Sequence, residues 1–309
     1  MSILVAGSVA FDSIETPSGR VDHCLGGAAT HFSLAASYFT PVRVIAVVGE
    51  DFKPEHEAVL RNRKIDLTGL ERALGKSFHW KGQYGENVNE ATTLDTELNV
   101  FATFEPKVPE AYLDSEFLFL ANIDPVLQKR VRDAMPNVKM VCADTMNFWI
   151  TGHRAALDLV LPGLDVLLIN DGEAKLLAEE KNLTRAAAKI LDMGPKAVII
   201  KHGEYGATAF FGDSPFAPVG KRLPFRAPAL PLAEVVDPTG AGDSFAGGFF
   251  GYLASQPSLT PAAFRTAMFY GGVMGSFAVE KFGTERMQQL TREEIDARFR
   301  LFRDLTHLD

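Results

Sequence analysis

The 309-residue sequence predicts an α/β fold, in which a mostly parallel central sheet is covered by helices on both faces and carries a small β-lid. Three observations predict this. Apolar runs bounded by turn residues alternate with segments of helical period, the order that produces parallel strands joined by crossover helices. Two stretches between those runs keep a two-residue alternation instead, as exposed antiparallel strands with one apolar face do. Beyond Pro228 the pattern is helical with little strand.

Taken in order, Ile3 to Val9 is the first apolar run, and Arg43 to Val48, Phe117 to Ala121, Val138 to Ala143, Val166 to Ile169 and Ala197 to Ile200 follow as buried strands. Helical spacing shows between them in Phe32, Ala35, Ala36 and Phe39, and again in Val126, Val131 and Ala134. Ser13 to Cys24 and Lys76 to Phe104 break the rhythm. In the second, Phe78, Trp80 and Tyr84 alternate with polar neighbours, and so do Leu98, Val100 and Phe104. Inserted after the first strand and before the Phe117 strand, these segments, about 13–25 and 76–104, are expected to form one lid over the ligand-binding edge of the sheet. The helices expected near the end are Gly240 to Leu253, Pro261 to Lys281 and Thr291 to Phe302. With no repeat and no linker, residues 1–309 read as a single domain.

Composition narrows the function classes. Hydrophobic residues at 47% and charged residues at 23% are ordinary globular usage and exclude a disordered or fibrous chain. A net charge of -8 is a poor footprint for nucleic acid or an anionic membrane, so an anionic ligand must be held by local groups. No apolar run approaches the ~18 residues of a membrane span, and Met1-Ser2 leads straight into Ile3-Leu4-Val5. Cys24 and Cys142 have no paired spacing and no neighbouring histidine cluster, so a reducing, cytoplasmic setting is expected.

The chemistry concentrates between Asp237 and Gly251, which read Asp-Pro-Thr-Gly-Ala-Gly-Asp-Ser-Phe-Ala-Gly-Gly-Phe-Phe-Gly. Glycine inside a helix costs about 1 kcal/mol against alanine, so Gly247, Gly248 and Gly251 imply close approach of something to that backbone. Gly240 and Gly242 free a turn at the start of the same helix, where outward N–H groups and the macrodipole favour an anion such as phosphate. Asp243 would repel that phosphate unless it has work to do there, and a general base facing an incoming hydroxyl is such work. The plainer reading is a first-turn acid. A Walker phosphate loop is absent, since Gly75-Lys76 and Gly220-Lys221 lack its other residues. The dinucleotide fingerprint fails at Phe245, which leaves a nicotinamide enzyme as a weak alternative.

The stretch from Asp237 to Gly248 resembles the C-terminal signature of the PfkB, or ribokinase-like, carbohydrate and nucleoside kinases, and Gly26-Gly27-Ala28-Ala29 resembles their N-terminal one. The resemblance spans nearly the whole chain. It implies a ribokinase-like sheet-and-helix sandwich with a β-lid, and transfer of the terminal phosphate of ATP, with Mg2+, to a hydroxyl. By this resemblance Asp243 is the catalytic base, and Gly240, Ala241 and Gly242 are the anion hole. Asp12, Gly26 and Gly27 bind the acceptor. Asn170 and Glu173 match an Asn-x-x-Glu motif that organises phosphate and, indirectly, magnesium, though by themselves they read as a helix cap. Lys201, Gly203, Gly206 and Thr239 lie at the nucleotide, and a hairpin turn is the plain reading of Lys201 to Gly206. Asp144, Asn147 and Trp149 match an Asp-x-Asn segment only loosely and stay outside the catalytic set.

A sugar is the leading acceptor, and a ribonucleoside of the adenosine type is the alternative. A non-catalytic nucleotide-binding protein is a third reading, which the intact Gly240 to Asp243 opposes. The apolar lid face could serve a homodimer. The resemblance also implies a monovalent cation beside the anion hole, with Asp237, Thr239 and the carbonyls of Ala278, Lys281 and Gly283 around it. Met287 stands where activated relatives place a serine hydroxyl, so potassium is expected to act weakly or not at all.

Overall fold

A computed structural model describes residues 1–217 and 223–306. The Gly220-Lys221 pair lies outside them. In chain order the strands are β1 (Ile3–Ala6), β2 (Ala10–Thr16), β3 (Gly19–Gly26), β4 (Val42–Val48), β5 (Asp66–Arg72), β6 (Phe78–Tyr84), β7 (Ala91–Glu97), β8 (Phe117–Leu120), β9 (Met140–Asp144), β10 (Val166–Asn170), β11 (Ala197–Lys201), β12 (Ala207–Phe211) and β13 (Phe225–Ala227). Nine form one sheet in the order β13-β12-β11-β10-β9-β8-β1-β4-β5. It is parallel except at β12 and β13, which run antiparallel at one edge.

Alternation in the buried strands divides the core into two layers. Ile3 and Val5 of β1 face helices Ala28–Ala36, Ala241–Ala254 and Pro261–Ala278, whereas Leu4 and Ala6 face helices Pro125–Ala134, Asp171–Ala178 and Leu183–Asp192. The result is a ribokinase-like three-layer sandwich. What approaches the glycines of the first helix layer is other helices. A Cβ at Gly247 would stand 2.4 Å from the Phe32 carbonyl oxygen, and one at Gly248 2.6 Å from that of Tyr270.

The remaining four strands make the lid, in the order β3-β2-β6-β7. The chain leaves β1 at Ala6 and enters β2 at Ala10, so Asp12 belongs to a lid strand rather than to the edge of the main sheet. Cross-strand register puts Asp12 opposite Cys24 and Trp80, and Ile14 opposite Gly82. Tyr84, two residues beyond Gly82, shares that inner face. The lid is fastened over the loop before the glycine turn, with Thr16 Oγ1 donating to the Val236 carbonyl (2.8 Å) and Ser18 Oγ to that of Val235 (3.1 Å).

Three expectations change. Leu98 to Phe104 is no strand: Asn99–Thr103 is a 3-10 turn entered through Asn99 at φ 49°, and it buries Val100 and Phe104 in the second core layer. Strands β5 and β13 were not anticipated, and β12 only through the hairpin reading of Lys201 to Gly206. The edge strand β5 exposes Asp66, Thr68, Glu71 and Arg72, so its apolar signal is faint. The helix from Pro261 stops at Ala278 instead of Lys281, because the next carbonyl, that of Val279, accepts the amides of Val236 and Asp237.

Candidate active site

The glycine turn is held from beneath. Asp237 is fully buried, and its carboxylate accepts the Thr239 amide on one oxygen and the Gly283 amide on the other, both at 2.8 Å. Gly240 then takes a left-handed conformation, φ 72°, and begins helix Ala241–Ala254 without a side-chain cap. The Ala241 amide closes the turn onto the Pro238 carbonyl (3.2 Å), and the Ser244 amide bonds that of Gly240 (2.8 Å). Among the described residues, the amides of Gly242 and Asp243 donate to no carbonyl. Of the Gly240-Ala241-Gly242 reading, Ala241 spends its N–H on the turn, while the amides of Gly240 and Gly242 have no acceptor among the described residues.

Three groups surround this open helix start. Lys201, at the end of β11, brings its ammonium to 2.8 Å from where a Cβ on Gly242 would stand. His31 lies under Gly240, where a Cβ would meet the imidazole at 2.3 Å. Its ring is 1% exposed with neither nitrogen hydrogen-bonded, and burial pushes its pKa down while the charges of Asp243 and Asp237 pull it up. Asp144, at the end of β9, is the third. Burial first, and then the neighbouring Asp243 carboxylate, drive its pKa well upward, against the pull of Lys201. Its Oδ1 has no partner among the described residues.

Asn170 and Glu173 adopt the cap reading. The Asn170 side chain accepts the Glu173 amide (2.8 Å), and Glu173 returns the bond to the Asn170 amide (2.7 Å). Burial nevertheless raises the Glu173 pKa, with Lys201 opposing it and Asp243 adding to it, so Glu173 also faces the turn. No group of three or more His, Cys, Asp or Glu among the described residues could hold a metal unaided. The ring of Asp144, Glu173, Asp243 and Lys201 suits a hydrated magnesium that arrives on nucleotide phosphates, which such an ion keeps as ligands along with several waters.

At the acceptor end, Asp12 is 5% exposed. A Cβ on Gly26 would lie 1.8 Å from its Oδ2, and Gly27 turns into helix Ala28–Ala36 at φ 93°. Burial, partly offset by a hydrogen bond from the Gly27 backbone and augmented by Asp237 and Asp243, pushes the Asp12 pKa up to about 7. Asp12, Asp237 and Asp243 therefore lie within electrostatic reach of one another.

The lid roofs this site. Thr239 Oγ1 donates to the Tyr84 hydroxyl at 3.2 Å, and the tip residue Asn89 lies against Gly203, where a Cβ would meet its Oδ1 at 1.9 Å. Gly203 (φ 55°) and Gly206 (φ 94°) shape the turn joining β11 to β12. His202 pairs with Thr208 and stays out of the site. Asn147 and Trp149 also stay apart, the Trp149 indole donating to Asn122. Phe78 stacks on Phe101 as lid core. At the expected cation position, Met287 is fully buried in the first core layer and Lys281 pairs with Glu285.

Sequence reasoning missed His31 and the reach of Tyr84, and it set Asp144 aside. Asp144 carried a usable signal, since it ends a strand at the carboxyl edge where open α/β sheets bind ligands.

A carboxylate beside a helix start with unbonded amides, a lysine above it and a second carboxylate beneath a lid make the apparatus of a phosphotransferase acting on a hydroxyl. Residues 3–290 match the model of the pfkB family carbohydrate kinase, and the chain belongs to that family. A cytidine kinase of Thermococcus kodakarensis is 29% identical over 266 residues, 83% of this chain and 90% of that one. An adenosine kinase of Schizophyllum commune is 33% identical over 273 residues, 78% of this chain and 76% of the other. Among solved structures, a ribokinase of Cryptococcus neoformans bound to ADP superposes with a TM-score of 0.75 at 21% identity, covering 96% of this chain and 99% of that one. The protein is an ATP-dependent sugar or nucleoside kinase.

Proposed function

We propose that the acceptor is a ribonucleoside, phosphorylated on the primary hydroxyl of its ribose, and that a free sugar is the alternative. Of the relatives that align over most of the chain, three are named for cytidine, adenosine and nucleoside kinases and one for an inositol 3-kinase. The single observation that carries the reaction is the pairing of Asp243 with the unbonded amides of Gly242 and Asp243 at one helix start. Asp12, seated on Gly26, accepts from ring hydroxyls. Asp243 takes the proton of the attacking hydroxyl as the new bond to the γ-phosphorus forms and the bridge oxygen leaves with ADP. Lys201 and the helix start stabilise the charge on the moving group. Asn170, Glu173, Gly203, Gly206 and Thr239 border the nucleotide, with Glu173 reaching magnesium through water.

Residues 1–309 act as one kinase domain in this reading, with segments 13–25 and 76–104 as its lid, in the ATP-containing cytoplasm. The structure has no helix long and apolar enough to cross a membrane, among the described residues. A homodimer through the lid would cover the exposed Leu94 and Leu98, and a monomer by light scattering at working concentration removes it. Release of ADP in a screen of ribonucleosides, pentoses, hexoses and keto-acids with ATP and magnesium tests the acceptor. Turnover of a free sugar well above every nucleoside overturns the nucleoside reading.

A further inference from the structure

We propose that the phenol of Tyr84 is a catalytic donor, giving its O–H to the phosphoryl group in transfer and so completing the anion site only when the lid is down. The proposal rests on the kinase reading above. Tyr84 ends β6 on the same lid face as Asp12, and its hydroxyl accepts from Thr239, the residue immediately before Gly240. A phenol that accepts one hydrogen bond still has its own proton to give, and among the described residues no carbonyl or side chain takes it. The hydroxyl is therefore held beside the glycine turn with a donor uncommitted, in a place otherwise crowded with carboxylates.

Electrostatics favour a donor there. Burial raises the Tyr84 pKa to about 12, and Asp237, Asp12 and Asp243 add to the rise, so the phenol keeps its proton at any working pH. A neutral donor suits a site that must tolerate these three acids nearby and still stabilise an anionic phosphoryl group, because it offers a hydrogen bond without forming an ion pair with any of them. The position on the lid adds a second consequence. Thr16 and Ser18 fasten the other lid hairpin to Val236 and Val235, two and three residues before the proline that precedes Thr239, so the lid and the turn seat together. Acceptor binding under Asp12 and completion of the donor set at the turn then become one event, which ties ATP cleavage to the presence of an acceptor.

A lid latch alone would predict something different. If the Tyr84 to Thr239 contact merely held the lid shut, losing it would raise the acceptor KM and admit water, increasing ATP hydrolysis without acceptor. A donor to the transferring group acts on kcat and leaves ground-state binding alone.

The test is Tyr84→Phe, which removes one oxygen and keeps the ring. Removing one such donor costs up to ~10² to 10³ in kcat at oxyanion sites. The expected result is a fall in kcat of at least ~10-fold with acceptor KM and ADP affinity within about twofold of wild type. Weaker binding of ADP with aluminium fluoride, a mimic of the moving phosphoryl group, is expected in parallel. Unchanged ADP affinity by calorimetry shows that the variant is folded. Wild-type kcat, or a loss confined to acceptor KM with raised acceptor-free ATP hydrolysis, overturns the proposal and leaves the kinase reading standing. If wild-type protein transfers phosphate to no sugar or nucleoside, the kinase reading fails and takes this one with it.

Discussion

Two helices begin at the active cleft with an acid in the first turn, and they begin in opposite ways. Helix Asp171–Ala178 is closed by its own side chains, Asn170 and Glu173 each satisfying the other's amide. Helix Ala241–Ala254 starts on a left-handed glycine, has no side-chain cap and does not fold Asp243 back onto the backbone. A helix start that caps itself has used its donors. One that does not must leave them to water or to a ligand, and the macrodipole makes an anion the favoured guest. The difference teaches that an Asp or Glu in a first turn is a site residue when the cap position beside it is empty of side chain.

Removing each acid sharpens that comparison. Asp243→Asn is expected to lower kcat by ~10² to 10⁴ while ATP and acceptor affinities change little, the usual cost of losing a general base. Steady-state rates with calorimetric affinities measure it, and turnover at the wild-type level removes Asp243 as the base. Glu173→Gln should cost less, because its hydrogen bond to the Asn170 amide survives as an amide acceptor and what is lost is its charge toward a water-held magnesium. Equal losses in the two variants break the distinction between open and closed starts.

The open start is also where buried acid collects, and pH reads that out. Asp12 is raised to about 7, and burial raises Asp144, Asp237 and Glu173 as well. An acid whose pKa is higher folded than unfolded stabilises the fold while protonated, and that stability is lost as pH rises through the folded-state value. The ligand-free protein should therefore melt at progressively lower temperature from about pH 4 to about pH 7. Surface acids held low by cations, such as Glu57 beside Arg61 and Glu294 beside Arg286, lose their contribution only below that window. Catalysis runs the other way. Acceptor kcat/KM should climb by up to about tenfold per pH unit below about 7 and then level, as Asp12 ionises and can accept from ring hydroxyls. A melting temperature that rises across this window contradicts the burial of these acids.

The closed start makes a smaller prediction. Asn170→Ala removes a cap side chain and should cost about 1 kcal/mol of stability, a modest shift in a urea midpoint. Loss of several-fold more would mean that Asn170 holds more than its helix.

The contrast between the two starts could be read only halfway from the sequence. Glycine spacing from Gly240 to Gly251 and the Asn170 to Glu173 interval are local, and local chemistry is legible residue by residue. The neighbour of Asp243 is not: Asp144 ends β9, and only the strand order brings the two carboxylates together. His31 lies in an apolar helix with no motif around it, and only the fold brings Gly240 onto its ring. The lid was visible as period-two alternation, but Leu98, Val100 and Phe104 follow the same period and form a 3-10 turn, because the core that buries Val100 and Phe104 overrides it. The main sheet was legible wherever strands were buried on both faces. The edges β5 and β13, with fewer apolar contacts, were not.

Asp237 makes the smallest prediction and bears on how the open start keeps its shape. An uncapped turn needs some outside support, and a monovalent cation held by carbonyls would be one way to supply it. Here both oxygens of Asp237 already accept amides, from Thr239 and Gly283, which fixes the turn from below without an ion. The neighbouring Val279 carbonyl accepts two amides, and Met287 is buried in the core, where a thioether is a poor ligand for a hard cation. Potassium should therefore change the initial rate by less than about tenfold against tetramethylammonium at equal ionic strength, which corresponds to less than ~1.4 kcal/mol of barrier. Asp237→Asn should lower activity equally in either salt, since what it disturbs is the amide cradle. Stimulation beyond tenfold, or a defect in that variant rescued by potassium, would show that an ion shares the work that the structure gives to Asp237 alone.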